Sequence, residues 1–125
     1  MVQPELLYSK EHEWVRIEGD RATIGITDYA QESLGDIVYV ELPKPGTAIE
    51  QFGNIGVIES VKAVSDLFTP VSGEVLEANA ALEGDPAALN RDPYGDGWLL
   101  KLKLKDAGEA KSLLSARDYE KLVTE

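Results

Sequence analysis

The stretch Gly53–Glu77, G-N-I-G-V-I-E-S-V-K-A-V-S-D-L-F-T-P-V-S-G-E-V-L-E, constrains this chain most. Two apolar-patterned runs rich in β-branched residues flank a short segment of polar and small residues. Glycines and Pro70 keep both runs short, so they read as strands rather than helices. Before the centre, Ile55, Val57, Glu59 and Val61 share one phase of a period-2 pattern, opposite Gly56, Ile58 and Ser60. After it, Leu67 and Phe68 lead into Thr69–Val75. If the arms pair antiparallel, Lys62 is carried to the connecting turn, where exposed backbone and function often coincide. A lysine presented this way is either an ordinary solvated charge or a handle for a covalent group.

The rest of the chain reads as a β-rich unit. Trp14–Ile17 and Arg21–Ile26 form a hairpin about the turn Glu18–Asp20. Thr27 and Asp28 cap a short helix expected over 27–33: the threonine oxygen accepts free amide hydrogens, the aspartate suits the positive helix end, and Gly35 stops it. Asp36–Leu42 has Val38, Val40 and Leu42 in one phase and Ile37 and Tyr39 in the other, which suggests a strand covered on each face at least in part. Glu77–Arg91 is the least regular section, with a brief extended run or turn near 79–83 and one helical turn near 86–90. After the turn residues 92–97 comes the cleanest alternation in the chain. Trp98, Leu100, Leu102 and Leu104 face one way; Leu99, Lys101, Lys103 and Lys105 mostly face the other. Asp106–Glu109 and Ser115–Asp118 both have capping-box spacing, so two short helices or one bent helix should close the chain over 109–123.

Composition excludes several chemistries. With no cysteine there is no disulfide framework or thiolate nucleophile, and the single His12 leaves no multi-histidine metal site or plausible catalytic triad. Carboxylates are so numerous that any chosen pair is weak evidence for acid–base catalysis. Twenty-three acidic against twelve basic residues give a formal charge of −11, which argues against nucleic acid or an anionic membrane as partner and suits basic patches on larger proteins. No apolar run is long enough to span a bilayer. Met1–Glu5 resembles neither a signal nor a transit segment, so the expected location is the cytoplasm. At 125 residues the expectation is one domain over 1–125, with the lysine-bearing hairpin around 53–77 and a helical tail over about 107–123.

Glu59-Ser60-Val61-Lys62-Ala63, with Ser65-Asp66 and Pro70–Val75, resembles the attachment segment of the glycine cleavage system H-protein family. The likeness continues through His12–Val15, Gly25–Gln31, Leu34–Val38, Val40–Pro43, Asn90 and Asp92–Leu99, nearly the whole chain in the family's order. It implies a mainly β, barrel-sandwich hybrid fold with short helices. It also implies lipoic acid joined as an amide to Lys62, flanked by Glu59, Ser60, Val61 and Ala63, in a carrier that is not itself an enzyme. The implied partners are a pyridoxal-phosphate-dependent glycine decarboxylase (P protein), a tetrahydrofolate-dependent aminomethyltransferase (T protein), dihydrolipoamide dehydrogenase (L protein) and the lipoylation enzymes. The resemblance further suggests an acidic arm cleft in which Glu13 and Asp66 receive an amine carried by the arm. Trp14 and Trp98 read as packing residues or groove walls, and His12 as structural or surface. A biotinyl carrier would flank its lysine with methionine, but the only methionine is Met1; an oxo-acid dehydrogenase lipoyl domain would show Asp-Lys-Ala, but Val61 precedes Lys62. The competing class is a lipoyl relay or another swinging-arm carrier.

Overall fold

The glycine-turned hairpin near the start seeds the larger of two sheets. In the computed structural model, which describes residues 2–124, β2 (Glu13–Glu18) pairs with β3 (Arg21–Ile26), Glu13 opposite Ile26 and Glu18, expected in the turn, opposite Arg21. Short β1 (Leu7–Tyr8) lies on one side of this pair; β9 (Leu100–Leu104), β8 (Gly73–Ala78) and β5 (Ala48–Ile49) extend the other. The second sheet has three strands in the order β4 (Ile37–Glu41), β6 (Asn54–Ser60), β7 (Val64–Phe68). All these pairings are antiparallel. Among the described residues the helices are short: α1 (Asp28–Leu34), α2 (Ala81–Gly84), α3 (Ala88–Arg91), a 3-10 turn over Ala107–Ser112 and α4 (Ala116–Thr124). This is the two-sheet, β-dominated architecture with a C-terminal helix that the sequence predicts.

The main core joins Val15, Ile24, Val75, Leu100 and Leu102 of the large sheet to Ile37, Ile55, Ile58 and Leu67 of the small one. Each such side chain taken fully out of water contributes about 1.5–3 kcal/mol of transfer free energy. A second cluster, Leu6, Tyr8, Trp14 and Tyr119, locks the C-terminal helix onto the start of the chain, with the Tyr8 and Tyr119 rings stacked 4.6 Å apart.

Local signals at α1 hold. Thr27 Oγ1 accepts from the Ala30 N–H at 3.2 Å, and Gly35, at φ 77°, ends the helix. The tail resolves into two pieces. Ser115 Oγ accepts from the Asp118 N–H, but Glu109 closes no box on Asp106; its carboxylate accepts from the N–H and hydroxyl of Ser72, both at 2.7 Å.

Three strand phases need correction, two of them for one reason. A bulge between Asn54 and Gly56 inserts an extra residue into β6, so Ile55 and Ile58, placed on opposite faces by strict alternation, are both buried. Only glycine fits at position 56: a Cβ there would collide with the carbonyl oxygen of Glu41 on β4. A second bulge, between Ile37 and Tyr39, turns Val38 and Tyr39 both outward, 53% and 46% exposed, so β4 is covered only in part. In β9 the alternation starts at Leu100, not Trp98. Trp98 and Leu99 are still leaving the 92–97 turn, so Leu99 is fully buried while Trp98 is half-buried beneath the Lys101 ammonium, 4.8 Å from the ring centre.

A presented lysine and a buried carboxyl at opposite ends of one strand

β6 and β7 form the lysine-bearing hairpin; beyond Phe68 the chain crosses to the other sheet, where β8 pairs with β9. Ser60 shapes the turn. Its N–H donates to the Ala63 carbonyl at 2.8 Å, and its hydroxyl oxygen accepts from the N–H groups of Ala63 at 3.1 Å and Lys62 at 3.3 Å. One small side chain thus satisfies turn donors that a longer residue could not reach. Val61 donates its N–H to the Asp36 carbonyl at 3.0 Å, tying the tip to the segment between α1 and β4.

Lys62 is exposed, as are Val61 and Ala63 beside it, and among the described residues no carboxylate lies in ion-pair range of its amine. Its stem passes over Gly35, where a Cβ would lie 3.5 Å from the Lys62 Cε. Glu59 is half-buried, opposite Val64 on β7 and Tyr39 on β4. The tip therefore offers an unpaired primary amine on a stiff turn. Those properties suit covalent attachment of an acyl group.

The two carboxylates differ. Asp66 is exposed on β7, opposite Val57. Glu13 is 4% exposed, and no hydrogen bond joins the two. Its Oε1 accepts from the Ser9 hydroxyl at 2.6 Å and its Oε2 from the Phe68 N–H at 3.3 Å. Burial pushes the Glu13 carboxyl up to about 8, against the lowering pull of these two donors. Glu13 is thus a proton-holding group at neutral pH, not a standing surface charge. Ser9 and Phe68, its two partners, also line a cavity of about 350 Å³ walled by Tyr8, Phe52 and Leu114.

Sequence reasoning missed this setting, because Phe68 lies 55 residues from Glu13. The Ser9–Glu13 spacing was visible, but nothing marked it as a turn. His12 is structural, as one of its readings had it: at φ 70°, its Nδ1 lies 2.9 Å from the Tyr119 hydroxyl, which also sits 2.6 Å from Thr27 Oγ1. Trp14 is fully buried and donates from Nε1 to the Pro93 carbonyl at 3.0 Å. Among the described residues no cluster of three or more metal-ligating side chains occurs, and no helix is long and apolar enough to cross a membrane.

Comparison with known proteins follows this geometry closely. A family model described as glycine cleavage H-protein matches residues 6–125. A glycine cleavage system H protein of Bacteroides thetaiotaomicron is 55% identical over 118 residues, covering 94% of each chain. One from Rubrobacter xylanophilus is 53% identical over 124 residues, covering 99% of this chain and 96% of its own. The crystal structure of a glycine cleavage system H protein from Mycobacterium marinum superposes with a TM-score of 0.91 at 38% identity, over 99% of this chain and all of that one.

Proposed function

The chain belongs to the glycine cleavage H-protein family, and we propose from that membership and from the hairpin's geometry that Lys62 is the residue on which it carries lipoic acid. It is a non-catalytic carrier of the glycine cleavage system, shuttling the aminomethyl group. The observation that carries the assignment is the exposed, unpaired amine of Lys62 at a turn built by Ser60. Lipoic acid bound there would supply a disulfide for two-electron and group-carrying chemistry, which a chain without cysteine lacks. The working partners on this reading are the P, T and L proteins of glycine cleavage and the enzymes that install lipoic acid.

This chain's own residues present and shelter. Ser60 and the Val61–Asp36 hydrogen bond hold the tip. Tethering makes encounters at a docked partner effectively intramolecular. β7 leads from the tip toward Glu13, about 13 Å over its length at the usual strand rise. Asp66 lies along the way and Glu13 at the far end. Glu13 and Asp66 are the groups to receive an amine carried on the arm. An approaching ammonium favours the ionised form of Glu13, so its carboxyl can release its proton as the cation arrives and accept a charge-assisted hydrogen bond.

The test is expression with an active lipoylation pathway, followed by peptide mass spectrometry and glycine-dependent carbon dioxide release with the three partner proteins. Lipoyl on Lys62 with activity is expected. Lipoyl on another lysine sinks the site; acyl transfer from an oxo-acid dehydrogenase in place of glycine activity sinks the function. For the shelter, the lifetime of the aminomethyl-loaded carrier should shorten in Glu13→Ala or Asp66→Ala, and equal lifetimes would leave both as structural or surface groups.

A further inference from the structure

Among the described residues, a backbone hydrogen bond and a steric floor support the Lys62 tip from the body of the protein, and both belong to the segment 35–37. Val61 donates to the Asp36 carbonyl at 3.0 Å, and the Lys62 stem runs over Gly35. Asp36 itself is exposed, so no burial of its side chain holds it. The anchor comes from Asn90, on α3. Its Oδ1 accepts from the Ile37 N–H at 2.9 Å; its Nδ2 donates to the Gly35 carbonyl at 2.8 Å and to Gln31 Oε1 at 3.0 Å. One planar amide therefore brackets Asp36 from both sides, donating to the residue before it and accepting from the residue after it. Asparagine supplies both roles at once; aspartate retains the acceptor and loses the donors.

The base under this clamp is firm. Asn90 is flanked by Leu89, fully buried in the main core, and α3 closes with the Asp92 N–H donating to the Ala88 carbonyl at 2.9 Å. Gly35 completes the arrangement. At φ 77° and ψ −156° its backbone takes a conformation that other residues adopt only under strain, and the missing side chain leaves the floor over which the Lys62 stem lies.

We propose that Asn90 is a positioning residue for the attachment lysine: by fixing Gly35 and Ile37 it holds the Asp36 carbonyl where the Val61 N–H hangs, and so presents Lys62 to the enzyme that modifies it. The inference rests on Lys62 being the attachment site, and it adds a residue 28 positions away whose side-chain hydrogen bonds go to Gln31, Gly35 and Ile37 rather than to the lysine or its hairpin. A merely structural role for Asn90 would lower stability broadly. A positioning role acts locally, at the tip.

The experiment compares the apo-protein with Asn90→Ala and Asn90→Asp by amide hydrogen exchange at Val61, using Leu102 of β9 as the internal reference. It adds steady-state acylation by a lipoate-attaching ligase supplied with lipoic acid and ATP. In Asn90→Ala, Val61 exchange should accelerate by about tenfold relative to Leu102, and KM for the apo-protein should rise by about three- to tenfold with kcat nearly unchanged. Asn90→Asp should fall between wild type and Asn90→Ala in both readouts. Unchanged Val61 exchange and KM in a folded but less stable Asn90→Ala overturns the proposal. If that variant does not fold, the wild-type apo-protein decides: a nuclear Overhauser contact between the Lys62 methylenes and the Gly35 Hα is expected, and its absence overturns the proposal equally. Lipoyl found on a different lysine would instead overturn the attachment site, while the exchange measurement would still report on the clamp.

Discussion

The two ends of β7 share one sheet and five residues yet sit in opposite environments. At the Lys62 end Val64, Ser65 and Asp66 are exposed, Val64 by 69%. At the other end Leu67 is 3% exposed in the main core, and the Phe68 N–H is taken by a buried carboxyl. The hydrogen-bond phase is common to both ends, so what differs is what meets the outward groups. Ser60 donates to Ala63, so 60 and 63 form the hydrogen-bonded pair; alternation then turns the N–H and C=O of Val64 and Asp66 away from β6. The same alternation turns the Phe68 N–H outward, but there Glu13 meets it. One strand thus combines an open end that presents a lysine with a closed end that holds a proton.

Leu67→Ala against Val64→Ala should break the contrast most visibly. Removing the Leu67 side chain from the core should cost about 2–5 kcal/mol, whereas Val64→Ala should stay within about 0.5 kcal/mol. Urea unfolding of both variants measures it. Comparable losses would mean that the tip is packed in solution and that the two ends are not distinct.

The Glu13 end carries its own signature in pH. The unfolded chain loses this proton near the ordinary 4.5, while the folded chain keeps it to about 8. Between those values the folded state binds more protons, so this group's contribution to stability is fully present below 4.5. It is lost as pH rises through about 8, at about 1.4 kcal/mol per pH unit. Glu13→Gln, which stays neutral, should remove that slope between pH 6 and 7. An unchanged slope in the variant would place the titration elsewhere.

This contrast was only half legible in the sequence. The turn that carries Lys62 and the Thr27–Gly35 helix are local patterns, set by residues within a few positions of one another, and the structure has both; the hairpin expected around 53–77 ends at Phe68, because 73–78 pairs with β9 in the other sheet. The bulges at 54–56 and 37–39 were not legible. An extra residue in one strand shows only against its partner, and the glycine that permits the first looked like any turn glycine. Glu13 looked like one acid among 23 because its burial depends on Ser9 and on a strand 55 residues away. Asn90 carried even less local signal: its three partners lie on α1 and at its junction with β4.

A smaller effect tests what stands behind the closed end. The Tyr119 hydroxyl bridges Thr27 Oγ1 and His12 Nδ1, and His12 directly precedes Glu13 with its backbone at φ 70°. Tyr119→Phe keeps the stacking on Tyr8 and removes only this bridge. It should cost about 1–2 kcal/mol in thermal or urea unfolding, the scale of one or two buried hydrogen bonds. A neutral result would show that the loop carrying Glu13 holds itself.

The smallest expected stability effect belongs to the lysine proposed as the attachment site. Lys62→Arg keeps the charge, sits in solvent, and breaks no side-chain hydrogen bond or ion pair found among the described residues; the Lys62 stem lies over the bare face of Gly35. The tip itself is held by backbone and by Ser60, none of which the substitution alters. Stability should therefore stay within about 0.5 kcal/mol of wild type. Lipoyl attachment should nevertheless vanish, because a guanidinium held positive at any working pH is not the amine that forms the amide. The two measurements together define presentation: a side chain that the fold exposes without depending on it. A Lys62→Arg protein that lost several kcal/mol would show the lysine to be part of the packing, and the open end of β7 would then be bound into the fold no less than the closed one.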